Sequence, residues 1–187
     1  MMRTTTRMTM RMTMRTTLFL FISVASAAEW SQPAEVRHED ALVISYTARV
    51  DGPYLVVRAK VGPGWHTFAL DNVQRVEERL AGKPALSMDR STEITVTGVP
   101  VEGRWSQSPP KDFSRPELRM FSFGYDRDLV FAAKVRTTGA GSAKLRIRGQ
   151  ACTETVCKNI DVPLSVQVPA KLGAVSEVKL QDLVSAR

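Results

Sequence analysis

Cys152 and Cys157 are the only cysteines in the 187 residues, and they stand five positions apart, C-x-x-x-x-C. A cysteine pair can cycle between dithiol and disulfide, or it can help hold a metal. A bond between the two needs Cα atoms about 4.4–6.8 Å apart. An extended chain of that length would span roughly 17 Å. If the two are bonded, the chain must turn back on itself within Thr153-Glu154-Thr155-Val156. A metal site would need two further ligands, and the only histidines are His38 and His66. His38 stands in the polar run Arg37-His38-Glu39-Asp40 and reads as part of a solvated edge. The chain carries no nucleophile elbow, phosphate-binding glycine loop or zinc-protease motif, and no carboxylate pair stands out as an acid/base couple.

The segments on either side of the cysteines read as strands. Leu145 and Ile147 share one parity of the incoming strand, Ala143 to Gln150. Lys144, Arg146, Arg148 and Gln150 share the other, which Cys152 continues. In the outgoing strand, Val162, Leu164, Val166 and Val168 are inward, which places Cys157 outward as well. This parity predicts cysteines near the surface, with Arg146, Arg148 and Lys158 near the sulfurs. Positive charge there would favour a thiolate, and Glu154 would oppose it.

Two readings of the pair follow. A stapling disulfide is common in exported proteins. Closing so short a loop, however, stabilises by only about 2 kcal/mol on the chain-entropy relation, less than a long loop would give. The residues alone leave a redox role and a structural role level.

The start of the chain sets the compartment. Arg3, Arg7, Arg11 and Arg15 form a basic segment with no acid, and Leu18 to Val24 is a short apolar run. Ala25-Ser26-Ala27 then fits a small-x-small cleavage site. Residues 1–27 are therefore expected to be a Sec-type signal peptide, with 28–187 as one exported domain. No Arg-Arg pair supports a twin-arginine signal. The apolar run falls short of the ~20 residues of a spanning helix, and no later segment reaches that length, so no membrane span is expected after cleavage. The formal net charge of +7 counts the four arginines of the leader; without them, 22 basic residues face 19 acidic ones, or +3. Nucleic acid is not an expected partner.

Most of the remainder reads as short strands. Leu42, Ile44, Tyr46, Ala48 and Val50 alternate with Ser45, Thr47 and Arg49, followed by the turn signal Asp51-Gly52-Pro53. Leu55, Val57, Ala59 and Val61 then alternate with Arg58 and Lys60, completing an antiparallel hairpin. Asp71 to Leu80 reads as a short helix capped by Asp71 or Asn72 and ended by Gly82-Lys83-Pro84. Glu93 to Val99 alternates again, with Ile94 and Val96 inward. Pro100 to Leu118, with four prolines, is expected to be a long irregular stretch. Strands resume near Leu118 to Phe123 and at Asp128 to Arg136, where Leu129, Phe131, Ala133 and Val135 face in. The sum predicts an all-β fold, an immunoglobulin-like antiparallel β-sandwich, with a small barrel as the alternative.

The segment Leu145-Arg-Ile-Arg-Gly-Gln-Ala-Cys152-Thr-Glu-Thr-Val-Cys157, with Val162-Pro163-Leu164 beyond it, resembles the cysteine loop of the N-terminal periplasmic domain of the thiol:disulfide interchange protein DsbD. Gly64-Trp65-His66 resembles a second feature of that family, and the order of features agrees over roughly residues 35–168. The cysteine loop is the specific part.

The resemblance implies an immunoglobulin-like sandwich in which Cys152 and Cys157 are the catalytic pair of a thiol:disulfide oxidoreductase. Its partners would be a thioredoxin-like or membrane-embedded thiol donor and a periplasmic disulfide-bearing acceptor. No organic cofactor and no metal is implied. Cys157 is favoured as the first to meet a partner. The family shields its pair with an aromatic loop residue, whose counterpart would lie within Phe113 to Tyr125, where Phe113, Phe121, Phe123 and Tyr125 are the aromatics. Each of these also has an ordinary reading as core packing, as Trp65 does, and His66 is assigned no catalytic role. Two departures stand out. Lys158-Asn159 follow the second cysteine where the family often has prolines. The family's membrane-spanning electron channel and thioredoxin-like domain have no counterpart, so a stand-alone version would draw electrons from a separate polypeptide. The rival from another class is a non-catalytic immunoglobulin-like binding module whose disulfide pins a hairpin.

Overall fold

The alternating runs around Asp51-Gly52-Pro53 form the expected hairpin. Strand β1 (Ala34–His38) pairs with β2 (Ala41–Asp51), which pairs with β3 (Tyr54–Val61), all antiparallel. The computed structural model describes residues 29–83, 87–137 and 139–187. The expected signal segment 1–27 lies outside them, as do Pro84 and Thr138.

The other strands are β4 (His66–Phe68), β5 (Ser87–Met88), β6 (Glu93–Thr97), β7 (Val101–Gln107) and β8 (Lys111–Asp112). They are followed by β9 (Met120–Phe121), β10 (Phe123–Tyr125), β11 (Leu129–Val135), β12 (Gly141–Cys152), β13 (Cys157–Val168) and β14 (Val184–Ser185). One sheet runs β1-β2-β3-β11-β7-β14. The second runs β13-β12-β4-β10-β8, with β6 sharing the β12 edge with β4. A two-stranded parallel pair, β5-β9, stands apart. The fold is an all-β, immunoglobulin-like sandwich of antiparallel sheets, as expected.

Both sheets give their apolar parity to one core. Ile44, Tyr46, Ala48, Leu55, Val57 and Phe131 come from the first sheet, and Ala143, Leu145, Ile147, Val162, Leu164 and Val166 from the second. At about 25 cal/mol per Å² of apolar surface, this shared interior is the main favourable contribution to folding. Trp65 also packs into it, edge-on to His38, so its core-plug reading holds.

Three expectations need correction. Pro100 to Leu118 is not irregular throughout, because β7 occupies its first half against β11. Gly103, at φ +73°, lies in a bulge of that pairing, and the extra residues hide the alternation that marks a strand. The strand expected at Leu118 to Phe123 is split, with a 3-10 turn at Pro116–Leu118 ahead of the short β9 and β10. Helix α1 (Asn72–Leu80) forms as expected, yet neither Asp71 nor Asn72 caps it through its side chain. The Asp71 carboxylate instead accepts hydrogen bonds from Arg75 Nε, Gln107 Nε2 and the Arg187 amide. Asn72 ties the Asp89 carbonyl to the Phe123 amide.

Among the described residues, no helix is long and apolar enough to cross a membrane.

Candidate functional site

The β12–β13 hairpin is paired without a register shift from Gly141 opposite Val168 to Cys152 opposite Cys157. At its tip the Thr153 amide donates to the Val156 carbonyl at 2.8 Å. The Thr153 hydroxyl accepts from the amides of Thr155 and Val156, which closes the turn. Cys152 and Cys157 are disulfide-bonded with Cα atoms 4.0 Å apart, below the usual range of about 4.4–6.8 Å and nearest the roughly 4.5 Å of a non-hydrogen-bonded cross-strand pair. The bend required by the spacing is this four-residue turn.

The parity reading holds along both strands: Arg146, Arg148 and Cys152 on β12 share the outer face with Cys157 on β13. The expected exposure holds for one sulfur only. Cys157 is exposed, whereas Cys152 is 3% exposed. Cys152 has β4 on its other side, with His66 directly opposite it. The hairpin from β8 to β10 then folds over the outer face, held by the Phe113 amide on the Ser122 carbonyl and by reciprocal bonds between Arg115 and Met120. Phe113 stacks on His66, ring centroids 5.1 Å apart and planes 24° apart, and Phe68 meets His66 edge-on at 5.4 Å. Strand parity cannot report a loop that packs onto the outer face from elsewhere in the chain.

The disulfide lines an open cavity of about 360 Å³, which it shares with His66, Asp89, Phe113, Arg115 and Met120. Of the four aromatics considered, only Phe113 reaches it. Phe121 and Phe123 lie near the Arg79 guanidinium, and Tyr125 is buried with its hydroxyl donating to the Ser108 carbonyl and near Gln107 Oε1.

The basic residues expected near the sulfurs are distributed differently. Arg146 is held by Asp161 at 2.7 Å, and Arg148 faces the same carboxylate at 3.5 Å, several register pairs away from the disulfide. Lys158 adjoins Cys157 in the chain, opposite Ala151. The guanidinium that does line the cavity is Arg115, 3.6 Å from Glu154 across its mouth.

His66 and Asp89 went unrecognised as a pair in the sequence, because 23 positions separate them and Gly64-Trp65-His66, the segment that carries the histidine, does not point to Asp89. Burial lowers the pKa of His66; the charges of Asp89 and Asp126 oppose this, and Arg115 reinforces it. Burial raises the pKa of Asp89. The loop carrying Asp89 is anchored by Asn72 on its carbonyl and by Thr92, whose hydroxyl donates to the Phe68 carbonyl at 2.6 Å. Among the described residues, no cluster of His, Cys, Asp and Glu could hold a metal ion.

Fold and site together define a β-sandwich that presents a half-exposed disulfide at the tip of a long hairpin. No protein-family profile and no curated protein matches the chain by sequence. Among solved structures, the chain is similar to the N-terminal domain of DsbD from Neisseria meningitidis in the reduced form. The two are 14% identical with a TM-score of 0.46, and the match covers 78% of this chain and 91% of that one.

Proposed function

We propose that Cys152 and Cys157 form a redox-active pair through which this domain passes reducing equivalents between partner proteins. The observation that carries this reading is the asymmetry of the two sulfurs: Cys157 is open to a partner, and Cys152 is buried behind it beside a histidine. Thiol–disulfide exchange needs both, one sulfur that can be reached and one that resolves the mixed disulfide. A staple has little to do here, since the hairpin is already closed by its ladder and by Thr153.

In the reducing direction, the Cys157 thiolate attacks the partner's disulfide and releases one partner thiolate. Cys152 then attacks Cys157 Sγ, which re-forms the Cys152–Cys157 bond and frees the second partner thiol. Two electrons pass to the partner, and the reverse sequence recharges the pair from a donor dithiol. The resemblance of Leu145 to Cys157 to the DsbD loop supports a thioredoxin-like or membrane-embedded donor and a periplasmic acceptor. Residues 1–27 would be removed on export, with Ala28 as the first residue of the mature chain. Sequencing the amino terminus of the exported protein checks this, and an intact leader would contradict it.

The test of the exchange is trapping. In Cys152→Ser, Cys157 loses its resolving partner and should accumulate as a mixed disulfide with a thioredoxin-like or other periplasmic disulfide protein; Cys157→Ser should not. Equal, negligible trapping by both variants would favour a binding module with a structural disulfide.

A further inference from the structure

Cys157, Cys152 and His66 occupy one transverse row across β13, β12 and β4, each directly opposite the next. Residues opposed in this way point to the same face, with Cβ atoms about 4.5–5.5 Å apart. The imidazole is therefore the immediate neighbour of the buried sulfur, on the side away from Cys157. It is fixed between Phe113 and Phe68 and shares the cavity with Asp89.

We propose that His66 is the proton acceptor for Cys152, with Asp89 as its positioning residue. The proposal rests on the exchange reading above and adds to it the group that activates the resolving thiol. A thiol buried in apolar surroundings resists ionisation, and only its thiolate attacks. In the mixed disulfide, Cys152 gives its proton to His66 and its thiolate attacks Cys157 Sγ. The bond from Cys157 to the partner sulfur breaks, and the partner leaves as a thiolate. The proton on the His66 imidazolium then passes to that thiolate or to water, which leaves the imidazole neutral.

The charged groups around the ring favour this assignment. Burial keeps the imidazole neutral and able to accept a proton at neutral pH. Asp89 faces it within the cavity and Asp126 from beyond β10, and both stabilise the imidazolium once it forms. Asp126 is itself held by Lys111 at 2.6 Å, and Arg115 by Glu154; of the two carboxylates that act on the ring, Asp89 is the one without an ion pair to a basic side chain, with Ser122 as its hydrogen-bond partner.

The experiment needs no natural partner. The reduced protein is mixed with dithiobis-nitrobenzoate in a stopped-flow instrument. Attack by Cys157 releases the first coloured thiolate, and attack by Cys152 on the resulting mixed disulfide releases the second. His66→Phe keeps an aromatic ring in the stack and should slow the second release by about 100-fold at neutral pH, the lower end of general-base effects, with the first release unchanged. In the wild type the second rate should rise with pH through a group titrating below 6.5, and that step should be absent in His66→Phe. Asp89→Asn should keep the step, shift it to lower pH and slow the release less. A second release with the same rate and pH profile in wild type and His66→Phe overturns the proposal and leaves the exchange reading standing. A wild-type protein that shows no second release overturns both. If His66→Phe does not fold, the Asp89→Asn shift decides alone, and an unshifted profile counts against the proposal.

Discussion

At the scale of single residues, exposure separates the two sulfurs, and Phe113 stacks on the histidine beside the buried one. Its ring covers His66, which stands opposite Cys152, and it forms part of the wall facing the disulfide. Removing the ring should open a path to the buried sulfur without dismantling the core, since Phe113 is only partly buried and absent from the central cluster. In the reduced protein, Phe113→Ala should speed alkylation of Cys152 relative to Cys157, with a stability loss under about 2 kcal/mol. Mass spectrometry of each cysteine peptide against time checks this. An unchanged ratio would mean that other groups bury Cys152.

At the scale of elements, the structure depends on polar anchors as well as apolar alternation. Asp51 ends β2 and is buried, and its carboxylate accepts from the amides of Ser176, Glu177 and Val178 and from the Ser176 hydroxyl. It thereby fastens the chain after β13 across the outer face of the first sheet. There Arg49 and Arg58 reach Glu177 at 3.1 and 2.9 Å, and both guanidinium groups lie against the Trp30 ring. Burial works against ionisation of Asp51, but the four donors outweigh it and hold its carboxyl far below the ordinary range. A depressed folded pKa gives stability that is fully present above the unfolded value of about 3.9 and is lost as pH falls below it. Asp51→Ala should cost about 3 kcal/mol at neutral pH, because it also leaves Arg49 short of a partner. Urea titrations should find that deficit shrinking as pH falls below about 4. A deficit independent of pH would contradict the role of the charge.

These anchors mark the boundary of what the sequence discloses. The β2–β3 hairpin, β6, β11 and the two strands around the cysteines are legible because alternation with period two is written locally. Strand β7 is not, because the bulge at Gly103 breaks its period and its most buried side chain is polar. Gln107 is fully buried and satisfied by Asp71, Leu70 and Tyr125, partners 18 to 37 positions away. Arg49 stands on the polar parity of β2, yet it is buried by Trp30 and by Glu177, which no local pattern connects to it. The candidate site divides in the same way. The cysteines announce themselves by type and spacing, and the turn between them follows from geometry. His66, Asp89 and Phe113 join them only through the pairing of β4 with β12 and the folding of the β8–β10 hairpin over the outer face.

At the scale of the whole molecule, the disulfide contributes modestly to a sandwich whose stability comes from its shared core. Opening so short a loop should cost about 2 kcal/mol. For a domain of this size that lowers the melting temperature by roughly 4–8 °C, at about 2–4 °C per kcal/mol. Calorimetry of the oxidised protein and of Cys152→Ser/Cys157→Ser should therefore find both folded, with that difference between them. A double variant that fails to fold would identify the bond as a staple. The most direct test of the redox account is the reduction potential of the Cys152–Cys157 couple, measured by equilibration with glutathione or dithiothreitol buffers. The account predicts a value above about −300 mV, within reach of protein dithiol donors, and a value below that would mark a structural bond and contradict it.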